Sequence, residues 1–349
     1  MRQQLDVIRQ WCSRQWEVFK PWALRQLKLL KGWLVHIWQT YTNPDNRWLV
    51  VPCTAVALLV LFVLVKSCQG IAYNFTDECR IYKLGYSIEE ARMLVAELSE
   101  EQADSLIARQ EHDTIAIPLI QARYYINENF DRYIAYHKAD TSNAPLDDII
   151  AIVNVGIDRD QPAVHCDTTK GVLMLINGRH YLDEQYKPSH LVTFKKTYTY
   201  EENKADSAVV KAFVAMQDDC KQKTGAQLMV NSAYRSYKQQ IATYKRNDKR
   251  YVAHAGHSEH QTGLAIDVTS LQHPMRWDFD ASKECAWMHE HCHEYGFILR
   301  YPKKQSHIFG WSYEPWHLRY VGKEAARRMH DEDITFDEYY AYYIARETK

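Results

Sequence analysis

Gly256-His257-Ser258-Glu259-His260-Gln261-Thr262-Gly263-Leu264-Ala265-Ile266-Asp267-Val268 is the stretch on which the reading of this chain turns. Leu264, Ile266 and Val268 alternate with Ala265, Asp267 and Thr269, the period of a half-buried strand. Asp267 then lies on the face opposite the apolar stripe. Gly263 supplies a turn that folds His260 back over that same face. An imidazole nitrogen and a carboxylate oxygen from the two ends of one turn make two legs of a metal site. Spacing alone does not single this pair out. The chain carries 16 His, most of them expected to be ordinary surface or core residues, and no standard short zinc motif has this separation. H-E-x-x-H is absent, which excludes a thermolysin-like site.

A third leg has to come from elsewhere, and Glu314-Pro315-Trp316-His317 is one candidate among several. Pro315 rules out a helix interior or a central strand at its own position. A tight turn there would bring Glu314 and His317 to one side. Three protein ligands leave a fourth position on zinc open, and a carboxylate that is not a ligand can serve beside it as a base.

Around these segments strands and helices interleave irregularly, which predicts α+β rather than a doubly wound sheet. Residues 171–176, GVLMLI, read as a strand ending at the hairpin dipeptide Asn177-Gly178. A helix is expected after Asp206, stopping before Gly225, with a short strand at Leu228-Met229-Val230. Further helices are expected from near Ser236 and from Ser282 to Tyr295, the latter closed by Gly296. Residues 71–165 read as mostly helical, with capping boxes at Ser87–Glu90 and Ser99–Gln102 and no catalytic constellation. That region could be a spacer, a binding module or a packing partner.

Residues 48–65, WLVVPCTAVALLVLFVLV, contain no charged side chain and span a bilayer core at ~1.5 Å per residue. Arg47 and Lys66 bracket the run. The 47 residues before it are rich in Arg and Lys and too long for a signal-peptide n-region. The expectation is an uncleaved single-span anchor over 48–66, with 1–47 in the cytoplasm and the rest outside the cell. Trp11, Trp16, Trp22, Trp33 and Trp38 would lie along the inner membrane surface or pack in a helical hairpin. Of the cysteines placed outside, Cys285 and Cys292 sit seven apart in one expected helix and cannot pair with each other. A net charge of −1 gives no reason to expect a nucleic-acid partner. Oligomeric state is not legible.

The blocks SEHQTGLAID (258–267), YGFILRYP (295–302) and YEPWHLRYVG (313–322), with SAYRSYKQQ (232–240), occur in an order that resembles the VanY-type zinc D-alanyl-D-alanine carboxypeptidases of bacterial cell walls. The resemblance covers residues from about 170 to 325, so the zinc peptidase domain is taken as 170–349. It implies the α+β fold shared with Hedgehog-like DD-peptidases. It assigns zinc to His260, Asp267 and His317, and the general base to Glu314. It points to Arg235 as the guanidinium that grips the substrate, and to Ser258 and Gln240 as hydrogen-bonding pocket residues. Arg offers a planar, permanently charged fork for a peptide carboxylate, although it could instead polarise the scissile carbonyl. Tyr244, four residues after Gln240, would share its helix face and line the cleft or simply pack. One departure is Ala255-Gly256 where members often carry Pro-Gly; another is a short basic stretch before His254. The implied activity is removal of the terminal D-Ala from peptidoglycan stem peptides. An L,D-carboxypeptidase acting on tetrapeptides would use the same machinery. A non-catalytic binding module on this fold would lack some of the four metal-site residues, and all four are present.

Overall fold

The computed structural model describes residues 76–158 and 160–346, together with the helical positions Arg25, Lys28, Lys31, Gly32, Val35 and Gln39. The apolar run at 48–65 and the tryptophans before it lie outside the described residues. Among the described residues no helix is long and apolar enough to cross a membrane. The chain divides into two compact units, Met1–Ala91 and Arg92–Lys349. In the first, α1 (Asp77–Tyr82) starts at Thr76, whose hydroxyl accepts from the Cys79 amide. Ser87 and Glu90 exchange the two hydrogen bonds of a capping box and open α2 (Ile88–Glu97), within which the division falls.

The second unit continues with α3 (Glu100–Ala108), α4 (Ala116–Gln121), α5 (Phe130–Ala139) and α6 (Leu146–Val155). The expected Ser99–Gln102 capping box opens α3. Apolar side chains at helical spacing, among them Leu106, Leu119, Phe130, Ile149 and Val153, are buried. Within the second unit, part of this region packs against the C-terminal residues. Tyr124 stacks on Tyr342 near the C-terminus at 4.2 Å and donates to Glu332 at 2.7 Å. His307 lies 3.0 Å from Asp148.

After β1 (Val164–His165), β2 (His180–Tyr181), β3 (Leu191–Thr193) and β4 (Lys204–Asp206), the chain forms α7 (Ser207–Thr224), β5 (Leu228–Ser232), α8 (Tyr237–Arg246) and β6 (Ala265–Ser270). Then follow α9 (Arg276–Asp280), α10 (Lys283–His291), β7 (Phe297–Leu299), α11 (Ser306–Phe309), β8 (His317–Tyr320), α12 (Lys323–Glu332) and α13 (Phe336–Tyr339). Helices and strands mix as the α+β expectation requires. Four strands form one antiparallel sheet in the order β5-β6-β8-β7. Asp206 caps α7 by accepting from Ala208, and Gly225 ends it at φ +75°. Ser236 and Gln239 form the capping box of α8.

One face of the sheet carries the core. Ile266 and Val268 of β6 and Leu318 of β8 pack with Phe213, Met216, Cys285 and Met288 from α7 and α10. Each such fully buried side chain contributes about 1.5–3 kcal/mol. Cys285 and Cys292 are buried and do not pair with each other, in keeping with their spacing.

Two expectations are corrected. Every residue of β6 is buried, not only its apolar half. The strand is central, between β5 and β8, and its polar face is covered by the residues of the site. Residues 171–176 form no strand either: Thr168–Leu173 is a short 3-10 segment. The carbonyls that a strand would have paired are captured by buried guanidinium groups instead. Arg319 donates to Val172 O and Met174 O at 3.0 and 2.8 Å. Asn177 does make a turn, accepting from the Arg179 and His180 amides, but it leads into β2.

Candidate metal centre and cleft

Pleat and register build the site. Asp267 projects from the face of β6 opposite Ile266, and His317 stands directly across from it on β8. Asp267 Oδ1 lies 3.2 Å from His317 Nδ1. His260 arrives from the 3-10 turn Glu259–Thr262, which ends at Gly263 with φ +72°. A Cβ at Gly263 would sit 2.9 Å from Leu191 Cδ2, and the positive φ favours glycine there. The turn brings His260 Nε2 to 3.4 Å from Asp267 Oδ1. His260, Asp267 and His317 thus offer three ligand atoms, all within 4.8 Å of one another.

The tautomers follow from the neighbours. His260 Nδ1 is 2.7 Å from Ala233 O, a pure acceptor, so Nδ1 carries the proton and Nε2 is bare. His317 Nε2 lies 3.3 Å from Glu259 Oε2, so its proton sits there and Nδ1 faces the centre. Asp267 Oδ1 is buried with no hydrogen-bond donor, while Oδ2 accepts from Arg276 at 2.9 Å. Three lone pairs therefore converge on one buried point, an arrangement that calls for a cation. Two imidazoles and a carboxylate are the donor set of a catalytic zinc site. The titration behaviour agrees. Burial, reinforced by Arg235, pushes the His260 imidazole down to about 4 and keeps it neutral. Burial would also lower His317, but the Asp267 and Glu259 carboxylates outweigh it and raise His317 to about 9. Without a metal, a proton on His317 takes the cation's place. Asp267 is held well below the usual carboxylate range: burial opposes this, and the adjacent histidines and Arg276 overcome it.

Glu314 stands beside this centre. A turn closed by His317 N donating to Glu314 O at 3.2 Å places both on the same side, as the proline predicted. Glu314 Oε2 is 3.7 Å from His317 Nδ1, and Oε1 accepts from Trp311 Nε1 at 2.8 Å. Burial, with the Asp267 charge adding to it, raises the Glu314 carboxyl to about 7. A carboxylate poised there both takes and returns a proton near neutral pH.

The centre lies in a cleft of about 670 Å³ whose walls include Arg235, Ser258, Tyr251, Arg276 and Trp316. Arg235 is half-buried with its Nε unpartnered. Its backbone amide donates to His260 O at 3.2 Å, which ties the guanidinium's position to the metal turn. Gln240 and Tyr244 do not line the cleft. Gln240 is buried beneath it, donating to Ala253 O at 2.7 Å, and Tyr244 hydrogen-bonds His254 at 3.0 Å.

Several participants were not singled out from sequence. Arg276 grips Asp267 and stacks 4.9 Å from the Trp316 ring. Trp311 fixes Glu314. Glu259, Arg300 and Arg319 form a buried ionic group behind His317. A cue existed for Arg319: two residues after His317 on a strand, it must share that residue's face. For Arg276 no pattern was available.

A family model described as VanY, D-alanyl-D-alanine carboxypeptidase, matches residues 202–323. A putative carboxypeptidase, YodJ of Bacillus subtilis, is 37% identical over 185 residues, which is 49% of this chain and 67% of that protein. A D-alanyl-D-alanine carboxypeptidase of Enterococcus faecium is 30% identical over 181 residues, 50% of this chain and 58% of that one. The bifunctional D-Ala-D-Ala dipeptidase and D-Ala-D-Ala carboxypeptidase VanXYC of Enterococcus gallinarum is 35% identical over 188 residues, 49% of this chain and 94% of that one. The match to the Enterococcus faecium protein thus spans less than two thirds of its length.

Proposed function

The chain belongs to the VanY family of D-alanyl-D-alanine carboxypeptidases, and from that premise we propose that it is a zinc peptidase removing the terminal D-alanine of peptidoglycan stem peptides. The observation that carries the reading is the convergence of His260 Nε2, Asp267 Oδ1 and His317 Nδ1 beside Glu314, in a cleft that also holds Arg235.

Zinc, held by those three residues, supplies Lewis acidity. Glu314 is the general base: it accepts a proton from the water that adds to the scissile carbonyl carbon. It then gives that proton to the amine nitrogen of the departing D-alanine as the C–N bond breaks. Trp311 keeps one Glu314 oxygen engaged so that the other faces the reacting atoms. Arg235 receives the substrate's terminal carboxylate, a charge-assisted pairing favoured where its Nε has no other partner. Ser258 offers a hydroxyl from the cleft wall. Gln240 supports the wall from behind through Ala253, while Tyr244 hydrogen-bonds His254.

The site works at the outer face of the membrane in this reading. Its support is the charge-free run at 48–65 behind a basic segment. A reporter fused after residue 349 should be accessible to added protease in intact cells; protection of the reporter until lysis refutes this placement. Substrate class is tested with defined muropeptides analysed by mass spectrometry. Loss of one D-alanine from pentapeptide stems is expected, and cleavage confined to tetrapeptides refutes the D,D assignment.

A further inference from the structure

Behind the metal ligands lies a buried ionic group that the proposed chemistry does not use. Glu259 is 2% exposed and sits next to His260 in the chain, yet its side chain turns to the other histidine ligand. Glu259 Oε1 accepts from Arg300 Nε at 2.8 Å and from Arg319 Nη1 at 3.0 Å. Its Oε2 lies 3.3 Å from His317 Nε2. Both arginines are themselves buried and fixed. Arg319 is anchored on the carbonyls of Val172 and Met174. Arg300 Nη1 donates to Asp337 Oδ2 at 2.6 Å, and Asp337 Oδ1 accepts from Asn177 at 2.8 Å. The Phe336 ring lies 5.5 and 5.1 Å from the two guanidinium carbons.

We propose that Glu259 is a positioning residue for the metal site, held by Arg300 and Arg319 so that it fixes the ring and tautomer of His317. The carboxylate has no proton to give, so it selects the tautomer with the proton on Nε2 and leaves Nδ1 bare toward Asp267. The two arginines serve this role by immobilising the carboxylate. A buried cluster of this kind contributes little net stability against an apolar replacement, which leaves geometry as its use.

The inference rests on the zinc reading of the site. Its test is zinc affinity without substrate, so failure to release D-alanine would leave it standing. Glu259→Gln keeps an oxygen for the two arginines but turns an amide NH2 toward His317 Nε2. That ring must then accept, its proton moves to Nδ1, and zinc meets an N–H. Competition against a fluorescent chelator should show affinity reduced by about 10–100-fold. Asp337→Asn perturbs Arg300 while keeping the Glu259 carboxylate, and should leave zinc affinity near that of the wild type even where melting of the metal-free protein is lowered as far. Unchanged affinity in Glu259→Gln, or an equal loss in both variants, overturns the proposal. If Glu259→Gln does not fold, NMR of the zinc-loaded wild type decides. The His317 Nε2 proton should be a solvent-protected imidazole resonance, and rapid exchange with water overturns the proposal.

Discussion

Asp267 and His317 are register partners on adjacent antiparallel strands, with Oδ1 and Nδ1 3.2 Å apart. Two facing lone pairs at that separation repel unless a shared cation or proton bridges them. Asp267→Asn replaces one lone pair with an amide and should lower zinc affinity by more than the roughly 10–100-fold typical of an outer-shell change. Equilibrium dialysis of the variant against the wild type checks this.

The same geometry sets a pH dependence. His317 holds a proton up to about 9 in the metal-free site, so below that pH zinc must displace it. Affinity should rise with pH and level off near 9, and binding near neutrality should release roughly one proton or more. Calorimetry in buffers of different ionisation enthalpy measures that number. His260, already neutral with its pKa near 4, adds nothing to it.

Glu314→Gln should retain zinc and lose about 10²–10⁴-fold in kcat, the usual worth of a positioned base. Chelator competition and turnover on the same preparation separate the two effects. In the metal-free wild type the Glu314 carboxyl should titrate near 7, detectable by 13C NMR. Adding zinc should lower that value, because a nearby cation favours the ionised form.

Arg235 as the anchor of a terminal carboxylate predicts a defect expressed in substrate binding. Arg235→Gln should lower kcat/KM by the equivalent of about 2–5 kcal/mol, with zinc affinity unchanged. A peptide ending in a carboxamide should be a comparably poor substrate for the wild type. Should the variant discriminate against the amide as strongly as the wild type does, Arg235 is not the anchor.

Local patterns made the site plausible and the ordered blocks resembling the VanY-type peptidases assigned it, because its parts are local in sequence. Alternation around Asp267, the glycine after His260 and the proline between Glu314 and His317 each describe a neighbourhood of a few residues. What was not legible depends on partners brought from far away. Residues 171–176 have the composition of a strand, and only the burial of Arg319 and Arg300 beneath them explains why their carbonyls turn to side chains. The burial of the polar face of β6 likewise follows from the residues that cover it, His260 and Arg276 among them, which no local pattern in the strand encodes. Gln240 and Tyr244 share a helix with regular spacing, but spacing does not say which side the cleft lies on.

The most direct test is a zinc titration of the metal-free protein against a D-Ala-D-Ala-terminated pentapeptide, with released D-alanine as the readout. No release is expected without metal, followed by a linear rise that saturates at one zinc per chain. Undiminished release from the metal-free protein, or none at any zinc concentration that fills the site, would contradict the account.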